Sequence, residues 1–188
     1  ATCFPFAGGI MGGSHISALK LIRSLDPQEY RPLIVLHNDQ GQFGDFLRGE
    51  GVDYELAPTP RHVAPASPAR QLRGLVNMPQ TVACLTRFLR TRNIRIVHTN
   101  EGPMHVTWGP PARLAGASLI WHHRSSPRAK GLRYLAPWLA NRVVSVSRFA
   151  APRPGLISAA DKCTVIHSPF DTEGCTADRA VSRANAIA

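Results

Sequence analysis

The chain has 188 residues, 44% of them hydrophobic, and a formal charge of +10. That length suits one domain, or one large domain with extensions, and buries a sizeable core. No apolar run approaches the ~20 residues of a membrane span, and no basic stretch followed by an apolar one opens the chain as a leader would.

The positive charge is mostly arginine, since Lys20, Lys130 and Lys162 are the only lysines. Arginine favours bidentate contact with phosphate or carboxylate. The arginines are dispersed, without a recognition-helix pattern or an aromatic-rich RNA motif, so specific nucleic-acid binding is not expected. A weak contact with an anionic membrane surface is expected, at about 1 kcal/mol for each Lys or Arg that reaches it. Cys3, Cys84, Cys163 and Cys175 are scattered and form no C-x-x-C pair. This predicts reduced thiols in a cytoplasmic protein and no metal site.

In chain order, Cys3 to Phe6 reads as a strand, followed by Gly8-Gly9, Gly12-Gly13 and Ser14. Ser14 is placed as the N-cap of a helix whose Ile16, Leu19, Ile22 and Leu25 share one face. The first N–H groups of a helix lack internal partners and carry partial positive charge. Glycines let an anion approach them closely, so Gly12, Gly13 and Ser14 are candidate phosphate-binding residues. Glycines also serve plain tight turns, and this loop matches neither a Walker motif nor G-x-G-x-x-G.

Pro32 to Leu36 is a second strand, His37 to Gly41 a loop, Phe43 to Arg48 a short helix and Val52 to Leu56 a third strand. The β-α-β-α-β succession implies parallel strands with right-handed crossovers. Ala57 to Pro68 is a proline-rich surface loop with Arg61, His62 and Arg70 in or beside it, a setting for an anionic acceptor. Ala69 to Arg92 reads as a helical region that Pro79 should bend or split.

Strands follow at Ile94–His98, Ser118–His123, Arg142–Val146 and Thr164–His167. Between them the pattern predicts a polar turn over Thr99–Gly102, a helix over Met104–Ala115 interrupted near Pro110-Pro111, and a helix over Leu132–Leu139. A helix-like stretch is expected to open at Ser147-Arg148. Residues 1–172 are expected to form one α/β domain: a three-layer, Rossmann-like open parallel sheet with helices on both faces. Residues 173–188 are a tail or the start of a linker.

In such a sheet, ligands bind beyond the carboxyl ends of the strands. The Gly12-Gly13 loop, Asn100-Glu101, His122-His123-Arg124, Ser147-Arg148 and Ser168 all follow strands and should line one edge. Strand alternation puts His122 and His123 on opposite faces, so only one points into a cleft there.

These segments carry a resemblance. Gly12-Gly13-Ser14, Ile96-Val97-His98-Thr99-Asn100, Ile120-Trp121-His122-His123-Arg124, Val144-Ser145-Val146-Ser147 and Val165-Ile166-His167-Ser168-Pro169-Phe170-Asp171 occur in that order. Together they resemble the N-terminal half of a retaining, GT-B-type glycosyltransferase of the family 4-like group. The resemblance implies transfer of a sugar from a nucleotide-sugar donor to a glycan or lipid-linked acceptor with retention of configuration, and no separate cofactor. It implies donor-phosphate contact at Gly12, Gly13 and Ser14, and a catalytic histidine at His122 or His123. Acceptor contacts fall on Asn100, Glu101, Arg124, Ser147 and Arg148.

The resemblance covers only the acceptor-side half. The donor-binding C-terminal half with its two glutamates is not in these residues, and Ser168-Pro169 replaces the usual Asn-Gly. The isolated chain is therefore expected to be inactive, and its place cytoplasmic, peripheral at the inner face of a membrane. Two other readings stay open. One is a dinucleotide-binding domain of an NAD(P)-type oxidoreductase, with Asp39 on the ribose. The other is a non-catalytic acceptor-binding module.

Overall fold

The computed structural model describes residues 1–59 and 77–168. Seven strands form one sheet in the order β3-β2-β1-β4-β5-β6-β7, all parallel. They are β1 (Thr2–Phe6), β2 (Pro32–Leu36), β3 (Glu55–Leu56), β4 (Ile96–Thr99), β5 (Ser118–His123), β6 (Arg142–Ser145) and β7 (Cys163–Val165). The chain runs outward from β1 to β3 and then returns to place β4 on the other side of β1. The crevice between the carboxyl ends of β1 and β4 is thus the switch point at which open parallel sheets bind ligands.

Alternation along the strands separates two cores. Phe4, Phe6, Ile34 and Leu36 pack under α1 (Gly13–Ser24) and α2 (Gln42–Gly49). On the other face Cys3, Val97, Leu119, Trp121 and Val143 pack with α3 (Met78–Thr91), α4 (Gly102–Ala115) and the short α5 (Lys130–Tyr134) and α6 (Ala136–Leu139). This is the expected three-layer α/β arrangement.

Several local expectations give way to tertiary packing. The N-cap of α1 is Gly12, not Ser14. The cap comes from His15, whose Nδ1 accepts the Gly12 N–H at 3.2 Å. His15, Ala18 and Leu19 are the buried positions of α1, while Ile16 stays half-exposed. The third strand shrinks from Val52–Leu56 to two residues at the sheet edge.

Pro79 lies in the first turn of α3, where a missing N–H costs nothing, so the described helix starts beside the proline, at Met78; whether it splits the region expected over Ala69–Arg92 lies outside the described residues. The part of the expected helix before residue 77, and the loop carrying Arg61, His62 and Arg70, lie outside the described residues, as do residues 169–188. Helix α4 runs through Pro110 and Pro111 without the expected break. Its inner face, Met104, Trp108, Pro111 and Ala112, is buried, and packing over that face outweighs the lost backbone bonds. It ends on Gly116 at φ 77°, with Ala117 N–H donating to Ala112 O.

The helix expected over Leu132–Leu139 is two short pieces. Ser147-Arg148 open a turn rather than a helix, with the Ser147 hydroxyl accepting the Ala150 N–H at 3.1 Å.

Candidate functional site

The switch-point crevice is closed from within by one side chain. Glu101, the residue that opens α4, accepts the Ala7 N–H on Oε2 at 2.7 Å and sits 2.6 Å from His15 Nε2 through Oε1. Because His15 Nδ1 already accepts from Gly12, the ring proton sits on Nε2, in close polar contact with the carboxylate but without hydrogen-bond geometry. Glu101 therefore ties the end of β1, the start of α1 and the start of α4 together.

Beside this tie, toward β5, lies a cavity of about 410 Å³. Ser14, Asn100, Glu101, His105, Trp121, His123 and Arg124 line it, together with Leu132 at its far wall. Asn100 is 4% exposed, and both its side-chain polar atoms lack a partner among the described residues. Trp121 Nε1 is likewise buried and unpartnered. Unsatisfied buried polar groups cost stability unless something bonds them, so these atoms are available to water or a polar ligand in the cavity.

The strand decides between the two histidines. His123 shares the face of Trp121 and lines the cavity, with Nε2–H donating to Ser126 O at 3.0 Å. That fixes the tautomer and leaves Nδ1 as an acceptor. Burial lowers its pKa, against the opposing pull of the Ser126 and Ser125 backbone, so the ring is neutral near pH 7. His122 points the other way. Its Nδ1 lies 3.2 Å from His98 Nε2, and His98 in turn packs on Phe4. Burial first, then the Arg124 charge, lowers His122 to about 3 and His98 to about 4.

Arg124 connects the two faces. Nη2 donates to Ser17 Oγ of α1 at 3.1 Å and Nη1 to Ser168 Oγ beyond β7 at 3.2 Å. Its Nε is buried without a partner, and no carboxylate among the described residues pairs with the guanidinium. Burial lowers its pKa, but arginine stays charged. An unneutralised, half-buried cation at the ligand edge favours an anion.

The glycines divide into two kinds. A Cβ on Gly8, at φ +82°, would overlap Asn38 O, and one on Gly41 would overlap the Gly8 and Gly9 backbone. These glycines shape the fold. A Cβ on Gly12 or Gly13 would meet nothing within 4 Å. Their lack of side chain answers no packing need, and the space above the start of α1 is open.

Of the expected site residues, Ser14, Asn100, Glu101, His123 and Arg124 meet at the cavity, with Gly12 and Gly13 beside it at the N-terminus of α1. His122 lies on the opposite face. Ser147 is spent on its own turn, and exposed Arg148 does not line the cavity. Sequence reasoning missed His105, stacked on Trp121 with centroids 4.2 Å apart and its Nδ1 2.6 Å from Thr99 Oγ1. The available signal was its spacing, four residues after Glu101 on the same helix face. Among the described residues, no group of three or more His, Cys, Asp or Glu side chains is arranged to hold a metal ion.

The fold is similar to that of Alr3699/HepE from Anabaena, solved in complex with UDP and glucose. The two are 17% identical, with a TM-score of 0.63 over 99% of this chain and 49% of that one. The fold is one half of the GT-B architecture. MurG from Acinetobacter baumannii gives 15% identity and a TM-score of 0.60 over 92% of this chain and 46% of its own. A glycosyltransferase from Rickettsia africae gives 13% and 0.56 over 99% and 49%. The chain thus spans about half the length of these structures. Its sequence matches no protein-family model and no curated protein.

Proposed function

We propose that this chain is the acceptor-side half of a GT-B glycosyltransferase that moves a sugar from a nucleotide-sugar to a glycan or lipid-linked acceptor with retention of configuration. The observation that carries the reading is the cavity beside the switch point, where Asn100 and Trp121 bury unpartnered polar atoms next to a tautomer-fixed His123. Neutral amide, indole and imidazole groups suit sugar hydroxyls. The open N-terminus of α1 at Gly12, Gly13 and Ser14, with the Arg124 charge nearby, suits the diphosphate of a departing nucleotide, whose negative charge grows as the glycosidic bond breaks. His123 contacts the transferred sugar at the reaction centre and is the catalytic histidine of this reading. Asn100 and Arg124 hold the acceptor and the diphosphate edge.

The donor-binding half of such an enzyme lies outside these residues, so the 188-residue chain alone binds ligand without turnover. The HepE structures in complex with UDP-glucose support a uridine donor. Cys3, Cys84 and Cys163 are unpaired, which supports a cytoplasmic setting. No helix of the described residues is long and apolar enough to cross a membrane.

A thermal-shift comparison tests the reading. UDP or UDP-glucose should raise the melting temperature, and ligand at 100 times its Kd should add about 2.7 kcal/mol of stability. Stabilisation by NAD(H) instead would favour a dinucleotide-binding domain. Stabilisation by a phosphorylated glycan alone, without any nucleotide effect, would favour a non-catalytic acceptor module.

A further inference from the structure

His105 sits in the first turn of α4 and lines the cavity beside Trp121. Its Nδ1 is 2.6 Å from Thr99 Oγ1, and that same oxygen is 3.2 Å from Ile120 O. A hydroxyl has one proton, and a carbonyl oxygen only accepts. Both contacts are made together only if the Thr99 hydroxyl donates to Ile120 O and accepts from His105 Nδ1–H. The ring is therefore the Nδ1–H tautomer, and its Nε2 carries a bare lone pair. Nε2 makes no hydrogen bond among the described residues.

The ring is held in place as well as in tautomer. It stacks on the Trp121 indole at 14°, with centroids 4.2 Å apart. Gly131 makes room for that indole, since a Cβ there would come within 3.2 Å of Trp121 Cζ2. Burial first, then His123, His122 and His98, keeps the His105 pKa well below the usual histidine value, so the ring is neutral near pH 7. Trp121 Nε1–H, on the stacked neighbour, is a buried donor without a partner. Two stacked, uncharged rings thus offer one free acceptor and one free donor.

A buried lone pair with no internal donor is satisfied by a proton that a ligand brings. A carboxylate has none near pH 7, and its charge would face the Nε2 lone pair. An ammonium would need a counter-ion, and the carboxylate of Glu101 is already turned to Ala7 and His15. A neutral hydroxyl supplies a proton for Nε2 and lone pairs for an indole N–H. We propose, resting on the transferase reading of this cavity, that His105 is a specificity-determining residue: its Nε2 accepts a hydroxyl proton of the sugar, and the wall it forms with Trp121 selects neutral sugars over carboxylated ones. Thr99 acts through His105 as a positioning residue. The discrimination is built on an unpaired acceptor that the wrong group leaves unsatisfied.

Long-range proton–nitrogen correlation NMR on the isotope-labelled chain reads the ring directly, with His105→Phe assigning its signals. The free chain should show His105 protonated at Nδ1 and bare at Nε2. The neutral probes are the methyl glycosides of glucose, galactose and mannose, and methyl glucuronoside is the charged one. At least one neutral glycoside should move the His105 Nε2 and Trp121 Nε1 signals, and the glucuronoside should move neither at the same concentration. His105→Phe keeps the stack on Trp121 but loses the acceptor, and should weaken the titration followed at Trp121 Nε1 about tenfold. Thr99→Val, the second variant, should shift part of the ring to the Nε2–H tautomer and weaken the same titration about fivefold. A histidine that only packs, or that bonds only water, would show no sugar-dependent Nε2 signal. A proton on Nε2 in the free chain, an Nε2 signal that none of the neutral glycosides moves, or an equal response to the glucuronoside would overturn the proposal. UDP-dependent stabilisation measured on the same samples reads the transferase proposal separately. A UDP effect without any His105 response sinks only the role given to His105, and a His105 response without any UDP effect sinks only the nucleotide-dependent reading.

Discussion

His15 Nε2 and Glu101 Oε1 lie 2.6 Å apart across the switch-point crevice, both side chains largely buried. The contact joins the start of α1 to the start of α4 and, through Ala7, to the end of β1. Glu101→Ala removes the charge-assisted hydrogen bond from Ala7 N–H and the close polar contact with His15 at once, and leaves both groups without their acidic neighbour. Urea unfolding should show a loss of about 3 kcal/mol. Glu101→Gln keeps one acceptor oxygen but turns an amide toward the His15 N–H, and should cost about half as much.

His122 and His123 should separate by phenotype. His122→Ala opens a hole between His98, Arg124 and the sheet and should cost about 1–3 kcal/mol of stability. His123→Ala should cost a similar amount, about 1–3 kcal/mol, since that ring is also buried and bonds Ser126 O. Joined to a donor-binding half, it should lose transfer activity at least about a hundredfold, the scale of a group acting at the reacting centre. Denaturant midpoints and initial rates measured on both variants check the split.

Stability should fall as pH drops below 6.5. Burial holds His98 at about 4 and His122 at about 3 in the folded chain and lowers His105 as well, whereas in the unfolded chain they titrate near their usual value. Between the two values the unfolded state binds more protons, so unfolding becomes easier as protons are added. The stability is fully present above pH 6.5 and is lost progressively as the pH falls through 4 and 3. Urea midpoints from pH 7 to pH 4 should slope accordingly, and His122→Asn should flatten the slope.

Asn100→Ala tests whether the cavity is built for a ligand. The side chain has no partner to lose, so its removal should change stability by less than about 1 kcal/mol or increase it. Ligand-dependent stabilisation should weaken at least about tenfold in apparent affinity, one hydrogen-bonding group's worth of about 1.4 kcal/mol. Differential scanning fluorimetry with and without acceptor and UDP-sugar measures both quantities.

Gly13→Ala should behave unlike Gly8→Ala. Alanine at 13 meets no atom and takes the first helical position, so it should leave stability unchanged or raise it by less than about 1 kcal/mol. The added methyl nonetheless narrows the approach to the first N–H groups of α1, and UDP binding should weaken. Gly8→Ala forces a β-carbon onto Asn38 O at a positive φ and should destabilise by more than about 1 kcal/mol. Thermal melts with and without UDP distinguish the two.

The order of strands and helices was legible in the residues themselves. Short β-branched runs such as PLIVL and IRIVH, separated by helical periodicity, impose parallel crossovers, and crossovers have one hand. That places Gly12, Asn100, Glu101, His123 and Arg124 along one edge of a sheet before any coordinates are known. Alternation also required that His122 and His123 face apart. Sequence alone could not say which of the two meets the cavity. That depends on which face of β5 the bulk of Trp121 and helix α4 covers, a contact between residues distant in sequence.

The same limit explains the local misreadings. Pro110 and Pro111 predict a break because a helix alone loses two backbone bonds there, but the buried face of α4 keeps it intact. Ser14 is a better N-cap than glycine by local preference, but Glu101 positions the His15 ring so that it caps Gly12 instead. Periodicity and composition are properties of neighbours along the chain, and they determined the layers and the edge. Burial, tautomer and charge pairing arise between residues brought together by folding, and only the tertiary structure decided them.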